Sequence, residues 1–226
     1  IAIFGNPFPE HFNKYIQHLI KKLEMEHIHL IIEEDFSLFL AANIRFNKRF
    51  ATFNSYDSLK NKADFLFSIG GDGTLLKAIT FVRESDISIL GINTGRLGFI
   101  SSVSAGQIDD SINDILKDKY TINERTLLTL NTNKKLFKDN NFALNEVAVS
   151  KKDTSSMIKI DAYVDDTFLN TYWADGLVVS TPTGSTGYSL SCGGPIIMPG
   201  TNNIIITPNA PHNLNVRPIV INDRSI

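Results

Sequence analysis

Residues 63–74 read Ala63-Asp64-Phe65-Leu66-Phe67-Ser68-Ile69-Gly70-Gly71-Asp72-Gly73-Thr74. A mostly apolar run of strand length stops in three glycines around an aspartate. Leu75, Leu76 and Ile79 follow at helical spacing, so the glycines join a strand to a helix. The same alternation extends on both sides. Ile1–Phe4 is a short apolar strand closed by a Gly/Asn/Pro turn, and Phe12, Tyr15, Ile16, Leu19, Ile20 and Leu23 form a helical stripe. His29–Ile32 and Ile87–Ile92 are further strands, the second ending near Gly91 and Gly95, and Ile108, Ile112, Ile115 and Leu116 mark a last helix. Strands alternating with helices predict a parallel sheet covered by helices.

The pattern changes near Tyr120. Ile158, Ile160, Ala162 and Val164 alternate with polar residues, Asp165-Asp166 falls where a hairpin turn belongs, and Thr167–Trp173 follows as the partner strand. Leu127–Leu130, Phe142–Val149, Leu177–Ser180 and Ile204–Thr207 read as more strands. The expectation is therefore an α/β N-terminal domain over residues 1–120 and a β-rich, all-β C-terminal domain over residues 121–226. Ile1 already lies inside an apolar run, and the chain closes on a strand and turn over Pro218–Ile226. Both ends read as trimmed, the C-terminal end more so.

Bulk properties narrow the class. Formal net charge is −2, so no overall basic field draws the chain to nucleic acid or anionic lipid. A single cysteine, Cys192, excludes an intramolecular disulfide and fits a reducing, cytoplasmic setting. No apolar run reaches the roughly 18 residues of a membrane helix. The five histidines lack the His-x-x-x-His spacing of a metallohydrolase.

Ligands of open α/β sheets bind at the carboxyl ends of strands, which is where Gly70, Gly71, Gly73 and Thr74 fall. Glycines let a backbone approach phosphate, and a helix start offers it free N–H groups. A carboxylate among anion-binding groups is costly unless it acts as a base or a magnesium contact, so Asp72 marks catalysis. The bland alternative makes Asp72 the cap of the following helix. The loop lacks the Gly-Lys-Ser/Thr of a P-loop and the Gly-x-Gly-x-x-Gly of a Rossmann turn. Lys77, about one helical turn on, either offsets phosphate charge or is a solvated surface lysine.

A second loop, Thr181-Pro182-Thr183-Gly184-Ser185-Thr186-Gly187-Tyr188-Ser189 with Ser191 and Gly193-Gly194-Pro195, is rich in hydroxyls and amides that suit phosphate or ribose. It carries no Gly-x-Ser-x-Gly elbow and no histidine nearby in sequence, which argues against Ser185 as a hydrolase nucleophile. Asn145-Glu146, inside the strand Phe142–Val149, and Asp175 suit a diol or an exocyclic amine; the alternatives are a surface strand end and a turn.

These blocks join up. Gly70–Thr74, Gly91–Phe99, Asn145-Glu146, Asp175-Gly176, Thr181–Ser191 with Gly193-Gly194-Pro195, Pro211-His212 and Arg217-Pro218-Ile219 follow in an order and spacing that resembles the NAD kinases over nearly the whole chain. The resemblance implies transfer of the terminal phosphate of ATP to the 2′-hydroxyl of the adenosine ribose of NAD, with Asp72 as base and Mg²⁺ expected. It implies an NAD-binding set of Asp72, Gly73, Lys77, Phe99, Asn145, Glu146, Asp175, Thr186, Tyr188 and Ser191, and a homodimer or homotetramer. Two alternatives share the Gly-Gly-Asp-Gly-Thr loop or its binding role: a diacylglycerol-type lipid kinase and a non-catalytic dinucleotide-binding module. Gly187 departs from the family's usual alanine, and Trp173 and Ser156 stand where some members carry basic residues.

Overall fold

The computed structural model describes residues 1–46, 49–95, 98–101, 103–134, 136–153, 155–213 and 215–226. These fall into two compact units, Ile1–Ile122 and Asn123–Ile226.

The first unit is a parallel sheet wrapped by helices. Its strands are β1 (Ala2–Gly5), β2 (Ile31–Glu33), β3 (Ala51–Phe53), β4 (Phe65–Ile69) and β5 (Ser88–Ile92). Its helices are α1 (Asn13–Met25), α2 (Glu34–Asn43), α3 (Tyr56–Leu59), α4 (Asp72–Val82) and α5 (Ile108–Leu116). The strand order is β3-β2-β1-β4-β5, all parallel. Both sheet faces are covered, which is why β1 and β4 read as near-continuous apolar runs. Ile3, Ile32, Phe67 and Ile69 face Ile16, Leu19, Phe36 and Ile112 on one side. Ala2, Phe4 and Leu66 face Leu59, Ala78, Phe81 and Val82 on the other. The chain winds outward from β1 to β3, then returns to place β4 beside β1. The switch point, where ligands of such sheets bind, is therefore between the carboxyl ends of β1 and β4.

The second unit is β-rich. A four-stranded antiparallel sheet runs in the order β13-β12-β11-β8, built from β8 (Glu146–Ser150), β11 (Gly176–Ser180), β12 (Asn203–Asn209) and β13 (Ile219–Asn222). Two antiparallel pairs form separate sheets: the short β6 (Leu128–Thr129) with β7 (Phe142–Ala143), and the longer hairpin of β9 (Ile158–Val164) with β10 (Thr167–Ala174). Tyr172, Leu177 and Ile206 are buried together at its centre. The one α-helix among the described residues of this unit is the single turn α6 (Tyr188–Ser191).

Three details differ from the sequence expectation. Phe142–Val149 is not one strand: β7 ends at Ala143 and β8 starts at Glu146, so Asn145 sits in the bend between them. Thr181–Ser191 is not an open loop but a 3₁₀ turn over Thr183–Thr186 followed by α6. The strand expected at His29–Ile32 is displaced to Ile31–Glu33.

Candidate active site

In the first unit, β4 delivers the chain to Gly70 at the switch point. Gly70 has φ +152°, and a Cβ there would overlap the Thr74 side chain, so only glycine fits. Gly71 is the N-cap of α4 and makes no side-chain cap bond. Asp72 is thus the first helical residue and not the cap. Its half-buried carboxylate turns instead to a second segment. Oδ2 accepts the Phe99 N–H at 2.8 Å; Oδ1 accepts those of Ile100 and Ser101 at 3.2 and 3.0 Å. Those three amides, with the positive end of α4, offset the negative charge that makes a carboxylate unusual in a phosphate loop.

Gly73 is exposed and Thr74 is buried. The Thr74 hydroxyl accepts from Asn6 Nδ2 at 2.9 Å, and the Asn6 N–H donates to the Ile69 carbonyl at 3.2 Å. Asn6 therefore ties the loop after β1 to the loop after β4. It is a site residue that the sequence reading passed over inside a turn, and its position one residue past a strand end was the available signal. Lys77 is exposed on α4, with its ammonium 5.5 Å from the centre of the Phe4 ring. Phe99 is brought to Asp72 by its backbone N–H, while the residue as a whole is 83% exposed. Arg96 and Leu97, inside the Gly91–Phe99 block, lie outside the described residues.

In the second unit, Asn145 and Glu146 meet the 183–187 turn. The Asn145 carbonyl accepts the Thr181 N–H at 2.9 Å, and Gly184 packs directly against it. A Cβ at Gly187 would lie 3.2 Å from Glu146 Oε2. Asn145 Oδ1 and Glu146 Oε2 are buried acceptors without a hydrogen bond from any of the described residues. Burial alone pushes the Glu146 carboxyl above its ordinary range. Two unanswered acceptors side by side form a cradle for a ligand's hydroxyl or amine donors.

Asp175 is not in that cradle. Gly176 pairs with Ser150 and Ser180 with Glu146, so Asp175 and Glu146 stand at opposite ends of the β8–β11 ladder. Five residue steps of strand separate them, about 17 Å. The Asp175 carboxylate pairs with Lys151 at 2.6 Å, and its N–H donates to the Asn209 carbonyl at 3.0 Å. Asn209 Nδ2 in turn donates to the Tyr188 hydroxyl at 2.8 Å. Tyr188 thus belongs with the Asp175 end. Thr186 is half-buried at the end of the 3₁₀ turn, and Ser191 is exposed at the end of α6. Burial pushes the Cys192 thiol up, away from reactive thiolate chemistry. Among the described residues, no group of three or more His, Cys, Asp or Glu could hold a metal, and no helix is long and apolar enough to cross a membrane.

A glycine loop that presents a carboxylate at the switch point of a parallel sheet, without a P-loop lysine, defines the class: a kinase of the non-P-loop α/β kind. The particular family follows from comparison with known proteins. The model of the ATP-NAD kinase N-terminal domain matches residues 1–120, and that of the ATP-NAD kinase C-terminal domain matches residues 144–226. The NAD kinase of Cytophaga hutchinsonii is 50% identical over 223 residues, 98% of this chain and 76% of its own. That of Christiangramia forsetii is 46% identical over 227 residues, 100% of this chain and 77% of its own. An Archaeoglobus fulgidus NAD kinase solved in complex with ATP has TM-score 0.74 at 25% identity, over 99% of this chain and 77% of that one. Yeast NADH kinase complexed with NADH shares the fold, with TM-score 0.84 at 23% identity over 99% of this chain and 70% of that one. The chain belongs to the NAD kinase family.

Proposed function

We propose that this chain transfers the γ-phosphoryl group of ATP to the 2′-hydroxyl of the adenosine ribose of NAD, giving NADP and ADP, with Asp72 as the base. The observation that carries the proposal is the Asp72 carboxylate itself, fixed at the head of α4 between the phosphate loop and the Phe99–Ser101 amides. As the ribose oxygen bonds to the γ-phosphorus, its proton passes to Asp72 and the bond to the β,γ-bridging oxygen breaks. The transition state of phosphoryl transfer is loose, so positioning and charge neutralisation supply most of the rate and the base a further ~10²–10⁴-fold. Gly70, Gly71, Gly73 and Thr74 form the phosphate loop, where the free N–H groups of α4 meet anionic oxygens. Lys77 adds positive charge one turn along.

Magnesium enters as part of the Mg–ATP substrate. Such an ion keeps most of its contacts to phosphate and water, and a loop with one carboxylate suits that better than a protein cage would. Residues 1–120 act as the phosphoryl-transfer domain and residues 121–226 as the NAD-binding domain. Asn145 and Glu146 accept from one end of the dinucleotide. Asp175, about 17 Å along the ladder, meets the other end, Thr186, Tyr188 and Ser191 line the pocket there, and Phe99, like Asp72, Gly73 and Lys77, is an NAD contact of the first unit. The enzyme works in the cytoplasm as a homodimer or homotetramer, without nucleic acid or membrane.

The test is a coupled assay with full-length protein, ATP, magnesium and NAD, in which NADP is read by an NADP-specific dehydrogenase, with Asp72→Asn beside the parent. NADP from the parent and a loss of at least ~10²-fold in kcat in the mutant support the reading. Unchanged turnover in the mutant removes the base. Binding of NAD by a folded parent that makes no NADP leaves a non-catalytic module.

A further inference from the structure

The base is held by a second chain segment whose geometry decides which of its oxygens can act. Oδ1 of Asp72 accepts two N–H groups, from Ile100 and Ser101, and Oδ2 accepts one, from Phe99. A carboxylate oxygen offers two acceptor sites, so Oδ1 is filled and Oδ2 keeps one. Gly98 is what allows this approach: a Cβ there would overlap the Asp72 carboxylate, both oxygens and the carbon between them.

The segment is anchored to the sheet. Ser101 is fully buried, and its hydroxyl reaches the Gly70 carbonyl at 3.4 Å. The Val103 N–H donates to the Gly91 carbonyl at 3.1 Å, the Asn93 N–H donates to the Val103 carbonyl at 2.7 Å, and Ile92 and Val103 form a parallel bridge. The row of amides is therefore mounted on β5 and the phosphate loop on β4, neighbouring strands of one sheet. Groups built on rigid elements hold a reacting atom to within a fraction of an ångström, and misplacement by about 1 Å costs ~10²-fold.

We propose that Gly98–Ser101 is the positioning element of the base, that Gly98 is a positioning residue for the reaction, and that the open site on Asp72 Oδ2 receives the ribose proton. The inference rests on Asp72 being the base. In the step, the ribose O–H bond breaks, Oδ2–H forms, the ribose oxygen bonds to the γ-phosphorus, and ADP leaves with the electrons of the broken P–O bond.

The experiment is a kinetic cycle on full-length protein with Gly98→Ala, Asp72→Asn and the double mutant. Gly98→Ala is expected to lower kcat roughly 10- to 100-fold while the KM values for NAD and ATP stay within about threefold. In the Asp72→Asn background it is expected to cost nothing further, because it acts through the carboxylate. Hydrogen exchange gives a readout that does not need Gly98→Ala to fold. The amides of Phe99, Ile100 and Ser101 are expected to be protected in the parent and to lose protection in Asp72→Ala. An unchanged kcat in Gly98→Ala, an equal fall in both backgrounds, or equal exchange in parent and Asp72→Ala would each overturn the inference. Full turnover by Asp72→Asn would instead overturn the base assignment, and the exchange result would still report on the amides.

Discussion

Lys151 Nζ lies 2.6 Å from the Asp175 carboxylate, and the Lys151 N–H donates to the Asp175 carbonyl at 2.9 Å. Lys151 leaves β8 just as Asp175 enters β11, so the pair closes one end of the ladder. The lysine fixes the carboxylate through Oδ1. A partly exposed pair contributes little to stability, about 0–1 kcal/mol. Its effect should appear in binding. Lys151→Met is expected to raise the KM for NAD by up to about fivefold with kcat unchanged, and Lys151→Arg to restore it in part. Initial-rate kinetics decide this, and a fall in kcat at constant KM would mean that Asp175 does not bind ground-state NAD.

Asn6 and Thr74 join two loops that only the fold brings together, 68 positions apart. The Thr74 side chain is buried, so the lost hydrogen bond should cost about 1 kcal/mol. Asn6→Ala is expected to lower Tm by roughly 2–4 °C in a chain of this size. Thr74→Ala should also lower it, and the double mutant should cost less than the two single losses together by about 0.5–1 kcal/mol. Strict additivity in thermal unfolding would show that the bond contributes nothing.

How much of this was legible in the sequence varies by element. Ile3, Phe67 and Ile69 announce themselves because a parallel strand buried on both faces must be apolar throughout. The β9–β10 hairpin was readable from alternation and from Asp165-Asp166, and it closes at that turn with Thr167 opposite Val164, the register shifting at a bulge between Phe168 and Asn170. α2 was not read: Phe36 and Leu40 are its only buried residues, too few to mark a helical stripe. Asp72 stands out in the sequence as a candidate base, but its partners do not. Phe99, Ile100 and Ser101 hold it through backbone N–H groups, which every residue except proline carries, so no side chain announces the contact. Gly98 was visible only as one more glycine, and its role depends on a carboxylate 26 positions away that folding brings against it.

Glu146 links the proposed NAD cradle to pH. Burial raises its folded-state pKa above the unfolded value, so between the two values the folded state binds more protons. Stability is then greatest below the unfolded carboxyl value and falls as pH rises through the folded one. Glu146→Gln removes that loss. The ligand-free mutant is expected to melt above the parent at pH 7–8, with the difference shrinking toward zero near pH 4. NAD binding should weaken roughly 10-fold, because a charged acceptor is replaced by a neutral one that offers a single oxygen. Melting curves across this range check the sign, and a difference independent of pH would exclude desolvation of Glu146 as its cause.

The hairpin turn offers a change outside the residues read as the site. Asp165 and Asp166 have φ of +50° and +61°, the left-handed pair that a two-residue type I′ turn requires. Asp165 is also engaged at Ile226, accepting its N–H at 2.8 Å, so a change there would mix two effects. Asp166 is exposed and gives the cleaner test. Aspartate tolerates this conformation better than most residues, and glycine adds entropy to the unfolded chain, so the two effects partly cancel. Asp166→Gly is expected to stabilise the protein by about 0.5 kcal/mol, or 1–2 °C in Tm, with kcat and KM unchanged. Asp166→Val should destabilise it by about 1–2 kcal/mol, because a β-branched side chain clashes in the left-handed region. Equal Tm for the glycine and valine variants would mean that residue 166 leaves the left-handed region in solution and that the turn is not type I′.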